Sequence, residues 1–202
     1  MIVLGLTGSI GMGKSTTKDF FADAGVPCWD ADAAVHRLYS ADGDGSVALE
    51  AILPQAVGPD GVDRTALRAA VIADRGLLPK IEAAIHPLVA ADRAAFLDRV
   101  KTDGTEVVLC DVPLLFETGV ERQFDRIIVV SAPHQVQRDR VLARPGMTEE
   151  AFNRILEKQL PDAQKRERAD DVIDTSGSLA QTREQVMAIL RDLRVSGDDR
   201  HA

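Results

Sequence analysis

Cysteine is scarce in this 202-residue chain: there are two, Cys28 and Cys110, each in or beside an apolar run. Two thiols so placed read as small core residues of a reducing compartment, and they exclude a disulfide framework or a metal knuckle. Aromatic residues make up 4%, with a single tryptophan, and no stretch approaches the roughly 20 apolar residues of a membrane span. No leader pattern opens the chain, so the expected address is the cytoplasm, with no membrane partner. An excess of positive charge is also missing. The net charge is −8, which gives no global field to attract a phosphate backbone, so nucleic acid is not an expected partner. No internal repeat and no low-complexity segment occurs. What remains is an ordinary composition, 45% apolar and 28% charged, at a length that supports one domain with an inserted subregion.

Short aliphatic runs at Ile2–Leu6, Val107–Cys110, Arg126–Val130 and Asp171–Ile173, with a weaker one at Val26–Trp29, have the continuity of strands buried on both faces. Helical stretches separate them: Lys14–Ala24, several between Ala31 and Lys101, Gln135–Ala143, Thr148–Gln159 and Leu179–Leu193. Pro133 suits a first helical turn, and Ser178 with Gln181 forms a capping box. The alternation predicts an α/β three-layer domain. The interval from Trp29 to Val107 is too long for one crossover. It carries amphipathic pieces at Asp63–Ala73 and Leu77–Val100, with breaks at Pro54, at Gly58-Pro59-Asp60-Gly61 and at His86-Pro87. It reads either as a helical insertion over the carboxyl edge of the sheet or as extra core helix. Ser196–Ala202 is a polar tail, expected to be flexible.

Gly8-Ser9-Ile10-Gly11-Met12-Gly13-Lys14-Ser15 satisfies G-x-x-x-x-G-K-[ST] at the point where a strand gives way to a helix. Glycine lets successive N–H groups turn inward and lets phosphate approach closely, and the helix adds its positive end. Lys14 supplies a point charge for the β- and γ-phosphates, and the Ser15 hydroxyl is a ligand for Mg²⁺. A guanine-nucleotide switch requires D-x-x-G and N-K-x-D. The third strand ends Asp111-Val112-Pro113-Leu114, and N-K-x-D is absent. A small chain with a helical insertion after its second strand points instead to a small-molecule kinase.

Such a kinase needs a carboxylate for the acceptor hydroxyl and cations for the transferred group. Asp30 and Asp32 flank a strand-to-helix turn at the carboxyl end of a strand, where open α/β sheets place ligands. Helix capping is the competing role for either one, more so for Asp30. Asp111 ends the strand next to the phosphate loop and either orients water on Mg²⁺ or simply ends the strand. Arg138, Arg140, Arg144, Arg154, Arg166 and Arg168 cluster downstream. Arg138, Arg154 and Arg166 read as a solvated face balanced by Glu149, Glu150, Glu157 and Glu167. Arg140 and Arg144, four apart on one helical face, read as phosphate ligands.

The ordered set of segments resembles the dephospho-CoA kinase family. It comprises the loop T-G-S-I-G-M-G-K-S-T, the D-A-D of Asp30 to Asp32 with His36, and His86-Pro87-Leu88-Val89. Next come Asp111-Val112-Pro113-Leu114-Leu115-Phe116-Glu117, then Gln137 with Arg140 and Arg144, Gln159, and Ala169-Asp170-Asp171-Val172-Ile173-Asp174. The resemblance runs from about Ile2 to Leu193.

It implies a P-loop fold with a five-stranded parallel sheet in the order 2-3-1-4-5. The core would span 1–30, 105–138 and 169–195, with an acceptor-binding insertion at 31–104 and a lid at 139–168. The implied reaction is transfer of the γ-phosphate of ATP to the ribose 3′-hydroxyl of dephospho-coenzyme A, with Mg²⁺. A monomer is the expected state, with an oligomer left open. Catalysis would fall to Asp32 as base, Lys14 and Arg140. ATP would be bound by Gly8, Gly11, Met12, Gly13, Lys14, Ser15, Thr16, Arg144 and Thr175. The acceptor would meet Asp32, His86, Leu114 and Glu117, and the metal would meet Ser15 and Asp111. Two positions depart from the family pattern: Thr175 stands where asparagine is usual, and Ala90 where arginine often follows H-P-L-V.

Overall fold

A computed structural model describes residues 1–198, with side chains described through 193. Its strands in chain order are β1 (Ile2–Thr7), β2 (Cys28–Asp30), β3 (Val57–Gly58), β4 (Gly61–Val62), β5 (Val107–Asp111), β6 (Arg126–Ser131) and β7 (Asp171–Asp174). The helices are α1 (Lys14–Asp23), α2 (Ala31–Leu38), α3 (Asp44–Glu50), α4 (Arg64–Ala73), α5 (Leu77–Thr102), α6 (His134–Leu142), α7 (Glu149–Leu156), α8 (Asp162–Glu167) and α9 (Leu179–Asp198). The chain forms two compact units. One comprises residues 1–28 with the chain from Thr105 onward, and the other comprises 29–104.

The five-stranded sheet has the order β2-β5-β1-β6-β7, and its strands β1, β5, β6 and β7 lie in the first unit. This is the expected 2-3-1-4-5 arrangement, renumbered because β3 and β4, not foreseen in the sequence, form a separate hairpin. β1 pairs parallel with β5 and β6, and β6 pairs parallel with β7. The period-2 alternation of a strand divides β6 cleanly. Ile128 and Val130 join the core made with Leu4, Leu6, Phe21 of α1 and Val186 of α9, while Ile127 and Val129 pack with Leu115 and Phe116 on the opposite face. Each of these buried side chains contributes up to about 1.5–3 kcal/mol. An aliphatic run without polar gaps is what a strand covered on both faces requires.

Local signals decide the helix ends. Ser178 and Gln181 exchange the reciprocal bonds of a capping box, Ser178 N to Gln181 Oε1 at 2.8 Å and Gln181 N to Ser178 Oγ at 3.2 Å. α9 then runs on through Asp198, past the expected end at Leu193, and residues 199–202 of the expected tail lie outside the described residues. Pro133 stands one place before α6 rather than in its first turn, with φ −53° and ψ 143°. Its ring fixes the same φ in either position. Thr148 caps α7 through Ala151 N, and α7 ends at Leu156, short of the expected Gln159.

The second unit holds α2 to α5, the hairpin and a small core of Leu49, Ile81 and Ile85 flanked by Tyr39, Leu67 and Leu88. Gly58-Pro59-Asp60-Gly61 forms the turn of the hairpin, pairing Val57 with Val62. The break expected at His86-Pro87 is absent, since α5 passes through Pro87 without interruption. Proline forfeits one backbone hydrogen bond there, at a cost of about 3 kcal/mol. Packing offsets that cost: Ile81 and Ile85 before the proline, and Leu88 and Val89 after it, all belong to the same apolar cluster.

Candidate active site

The loop Gly8–Gly13 leads from β1 into α1, and its glycines do distinct jobs. Gly11 (φ 77°) and Gly13 (φ 85°) adopt left-handed backbone that side chains rarely tolerate. Gly8 is needed for closeness, because a Cβ there would stand 2.3 Å from Val130 Cγ2. Gly13 occupies the N-cap position of α1 and offers no side-chain cap. The first amide groups of the helix therefore keep their affinity for an anion.

Residues distant in sequence hold this loop in shape. Ile10 N donates to Gln159 Oε1 at 3.1 Å, and Gln137 Nε2 donates to Ile10 O at 2.8 Å. Thr175 Oγ1 donates to Met12 O at 2.8 Å. Gln137 and Gln159 entered the sequence reading only as part of the family pattern, and no local signal revealed what they hold.

Charge meets the loop at the end of β5. Asp111, buried, pairs with Lys14 Nζ and has Lys18 Nζ at 4.0 Å from its second oxygen. A buried carboxylate of this kind requires a cationic partner. Ser15 is exposed and Thr16 half-buried. Among the described residues no group of three or more histidine, cysteine or acidic side chains is placed to hold a metal. A donor set of one hydroxyl and one carboxylate suits Mg²⁺, which keeps several waters and relies on substrate phosphates.

A cavity of about 240 Å³ opens beside the loop, lined by Gly11, Gly13, Thr16, Arg140, Arg144 and Thr175 together with Gly177, Leu179 and Thr182. Arg140 is pinned on its wall, Nη1 to Thr175 Oγ1 at 3.0 Å and Nη2 to Thr175 O at 2.5 Å. Arg144 also lines it and is exposed. The structure thus brings together the loop, Arg140, Arg144 and Thr175. Arg138 instead pairs with Glu149, at 2.9 and 2.7 Å, on the exposed face expected of it, and hydrogen bonding to Glu149 raises its pKa. Arg154 and Arg166 are exposed, and Arg168 pairs with Glu121 while covering the Phe116 ring.

Glu117, expected at the acceptor, is committed inside the first unit. Lys165 Nζ lies 2.8 Å from its Oε1, and Leu160 N donates to the same oxygen at 2.8 Å. Burial pushes the Glu117 carboxyl up, but the bonds from Lys165 and Leu160 outweigh it and hold the group below the usual glutamate range. Lys165 is fully buried, and sequence reading missed it because α8 is short and its one buried residue is a lysine. Leu114, three residues before Glu117, is exposed.

The second unit carries the remaining candidates. Asp30 is the N-cap of α2 and accepts from Ala33 N at 3.0 Å. Asp32 sits in the first turn of α2, exposed, without a hydrogen bond or ion pair among the described residues. The capping question left open by the sequence therefore resolves onto Asp30. His86 and Ala90 are exposed on α5. Trp29 is buried and donates its indole N–H to Asp92 at 2.7 Å, and Asp92 also accepts from Arg37 at 2.7 Å. Burial raises the Asp92 carboxyl, and these two bonds bring it below its ordinary value.

Comparison with known proteins identifies a family. The model of a family described as dephospho-CoA kinase matches residues 2–181. A dephospho-CoA kinase of Mesorhizobium japonicum is 55% identical over 194 residues, covering 96% of this chain and 98% of that protein. One of Brucella melitensis is 51% identical over 193 residues, covering 96% of each. The backbone is similar to that of TT1252 from Thermus thermophilus, with a TM-score of 0.80 at 33% identity over 95% of this chain and 97% of that one. With a cradle built for phosphate, no guanine motif and relatives matched end to end, the chain belongs to the dephospho-CoA kinase family.

Proposed function

We propose that the family's ATP-dependent kinase reaction is carried out here by a division of labour between the two units. The first unit grips ATP, and the second supplies the acceptor and its base. The single observation that supports this best is the uncapped amino end of α1, opened by Gly13 and followed at once by Lys14. Lys14 leaves Asp111 for the β- and γ-phosphate oxygens as ATP enters. Gly8, Gly11, Met12, Ser15 and Thr16 complete the cradle. Mg²⁺ arriving with ATP would be held by Ser15 and, through water, by Asp111, and it supplies charge compensation on the phosphates.

Asp32 accepts the proton of the ribose 3′-hydroxyl. That oxygen bonds to the γ-phosphorus as the bond to the bridging oxygen of ADP breaks. Arg140 and Arg144 balance charge spreading over the transferred group. Residues 139–168 close as a lid that excludes water, and residues 31–104 receive dephospho-CoA with His86 and Leu114 along its path. Glu117 serves this site at one remove, by fixing the chain at Leu160. We place the enzyme in the cytoplasm as a monomer. No helix among the described residues is long and apolar enough to cross a membrane.

The test is a coupled assay with ATP and dephospho-CoA, followed by mass analysis of the product. ADP and a 3′-phosphorylated product are expected in equal amounts. ADP at the level of background hydrolysis, alongside good turnover of another alcohol, would remove the acceptor assignment.

A further inference from the structure

Thr175 directly follows β7, and its surroundings give it work that ATP contact alone does not describe. The residue is buried, and its hydroxyl is already committed within the protein. Its hydrogen goes to Met12 O at 2.8 Å, and one lone pair receives Arg140 Nη1 at 3.0 Å. Its carbonyl takes the second arm of the same guanidinium, at 2.5 Å, and its amide donates to Ser131 O at 2.9 Å. A Cβ on Gly13 would stand 3.2 Å from its Cβ and Oγ1, so Thr175 also lies against the glycine that opens α1.

We infer that Thr175 is a positioning residue of the nucleotide site, locking the Met12–Gly13 peptide of the phosphate loop and the Arg140 guanidinium to one another through a single hydroxyl. The physics of the lock is simple. In a planar trans peptide the C=O and N–H point in opposite directions. Fixing Met12 O toward Thr175 therefore fixes the Gly13 N–H away from it. The same oxygen presents a lone pair to Arg140, and donation and acceptance by one hydroxyl strengthen each other in a buried setting. The fork of Arg140 is thereby held by both of its arms, so the arginine is ordered before any ligand arrives. Such preorganisation acts on binding of the nucleotide and, through Arg140, on the transferred phosphoryl group, and leaves binding of the acceptor alone.

The inference rests on reading this cavity as the ATP site, and the test separates the two. Binding of a non-hydrolysable ATP analogue with Mg²⁺ is measured by calorimetry for the wild type, Thr175→Val, Thr175→Ser, Arg140→Ala and the Thr175→Val/Arg140→Ala pair, with steady-state kinetics alongside. Valine keeps the shape and removes the hydroxyl. It should weaken analogue binding and raise KM for ATP by about tenfold, the scale of one lost buried hydrogen bond, and lower kcat in the same direction as Arg140→Ala, while KM for dephospho-CoA stays within about twofold. Serine should restore binding to within about twofold of wild type, and the double variant should lose less than the product of the two single losses.

Should valine fail to fold, as judged by its melting curve, Thr175→Ala carries the same predictions. Wild-type-like binding by the hydroxyl-free variant, failure of serine to rescue, or strictly multiplicative losses would each overturn the inference. Absence of analogue binding by the wild type would instead overturn the reading of the cavity.

Discussion

The two units solve the problem of presenting chemistry in opposite ways. In the first, almost nothing at the site is left to chance: Ile10 is held on both sides by glutamine side chains, Met12 by Thr175, and Lys14 by Asp111. In the second, the carboxylate assigned to the acceptor projects from the first turn of α2 with no partner among the described residues, and His86 is exposed on a long helix. A triphosphate is bound by charge and backbone geometry that can be built in advance. A base that must accept a proton cannot have its lone pairs spent in advance on other donors. Preorganisation on one side and availability on the other follow from what each group has to do.

Within the first unit, the largest expected effect on catalysis breaks the preorganised side. Lys14→Ala removes the point charge from the cradle and leaves buried Asp111 without its closest cation. Stabilisation of the transferred phosphoryl should fall by about 10²–10³-fold in kcat/KM for ATP. An isothermal titration in parallel should show weaker ATP binding. Activity within tenfold of wild type would mean that the backbone cradle alone suffices.

A second effect sharpens the contrast through stability. Glu117 and Lys165 tie the Leu160 segment to the first unit, and removing one partner strands a buried charge. Glu117→Ala should cost about 3–5 kcal/mol in a denaturant melt. The pH dependence follows from the depressed Glu117 carboxyl. Its contribution is complete above the ordinary glutamate pKa, about 4.3, and is lost as pH falls through the lower folded value. Glu117→Gln should therefore flatten the acid limb of stability below about pH 4.3 relative to wild type. An unchanged acid limb would remove the pair from the account.

The smallest effect is chemical. Burial pushes the Cys28 thiol up to about 11, against a lesser lowering by Lys18. The thiol is protonated at neutral pH, so alkylation of Cys28 should be slow there and accelerate only as pH approaches 11. Rapid labelling at pH 7, read by peptide mass, would contradict this.

The legibility of the sequence follows the same division. Strand positions and the phosphate loop were readable because aliphatic runs and G-x-x-x-x-G-K-[ST] constrain backbone locally, whereas the strand order came only with the family resemblance, and Ser178 with Gln181 signalled its own helix start. Lys165 was not readable, because a buried lysine in a helix of one and a half turns has no periodic signature. The ion pair of Glu117 with Lys165 and the bonds made by Gln137, Gln159 and Thr175 are contacts that no local pattern encodes. His86-Pro87 misled in the other direction, since propensity marked a break that the packing of α5 overrides. Asp30 and Asp32 looked alike on paper, and only the hydrogen bond to Ala33 N distinguishes the cap from its neighbour.

That pair of aspartates offers the most direct test of the division of labour. The same amide substitution is made two residues apart, Asp30→Asn and Asp32→Asn, and kcat with ATP and dephospho-CoA is measured next to ATP affinity. Asparagine still caps a helix, so the change at Asp30 should leave kcat near wild type, whereas at Asp32 it removes the base and should lower kcat by about 10²–10⁴-fold with ATP affinity unchanged. Near-wild-type turnover by Asp32→Asn, or equal losses at both positions, would contradict the assignment of proton acceptance to the second unit.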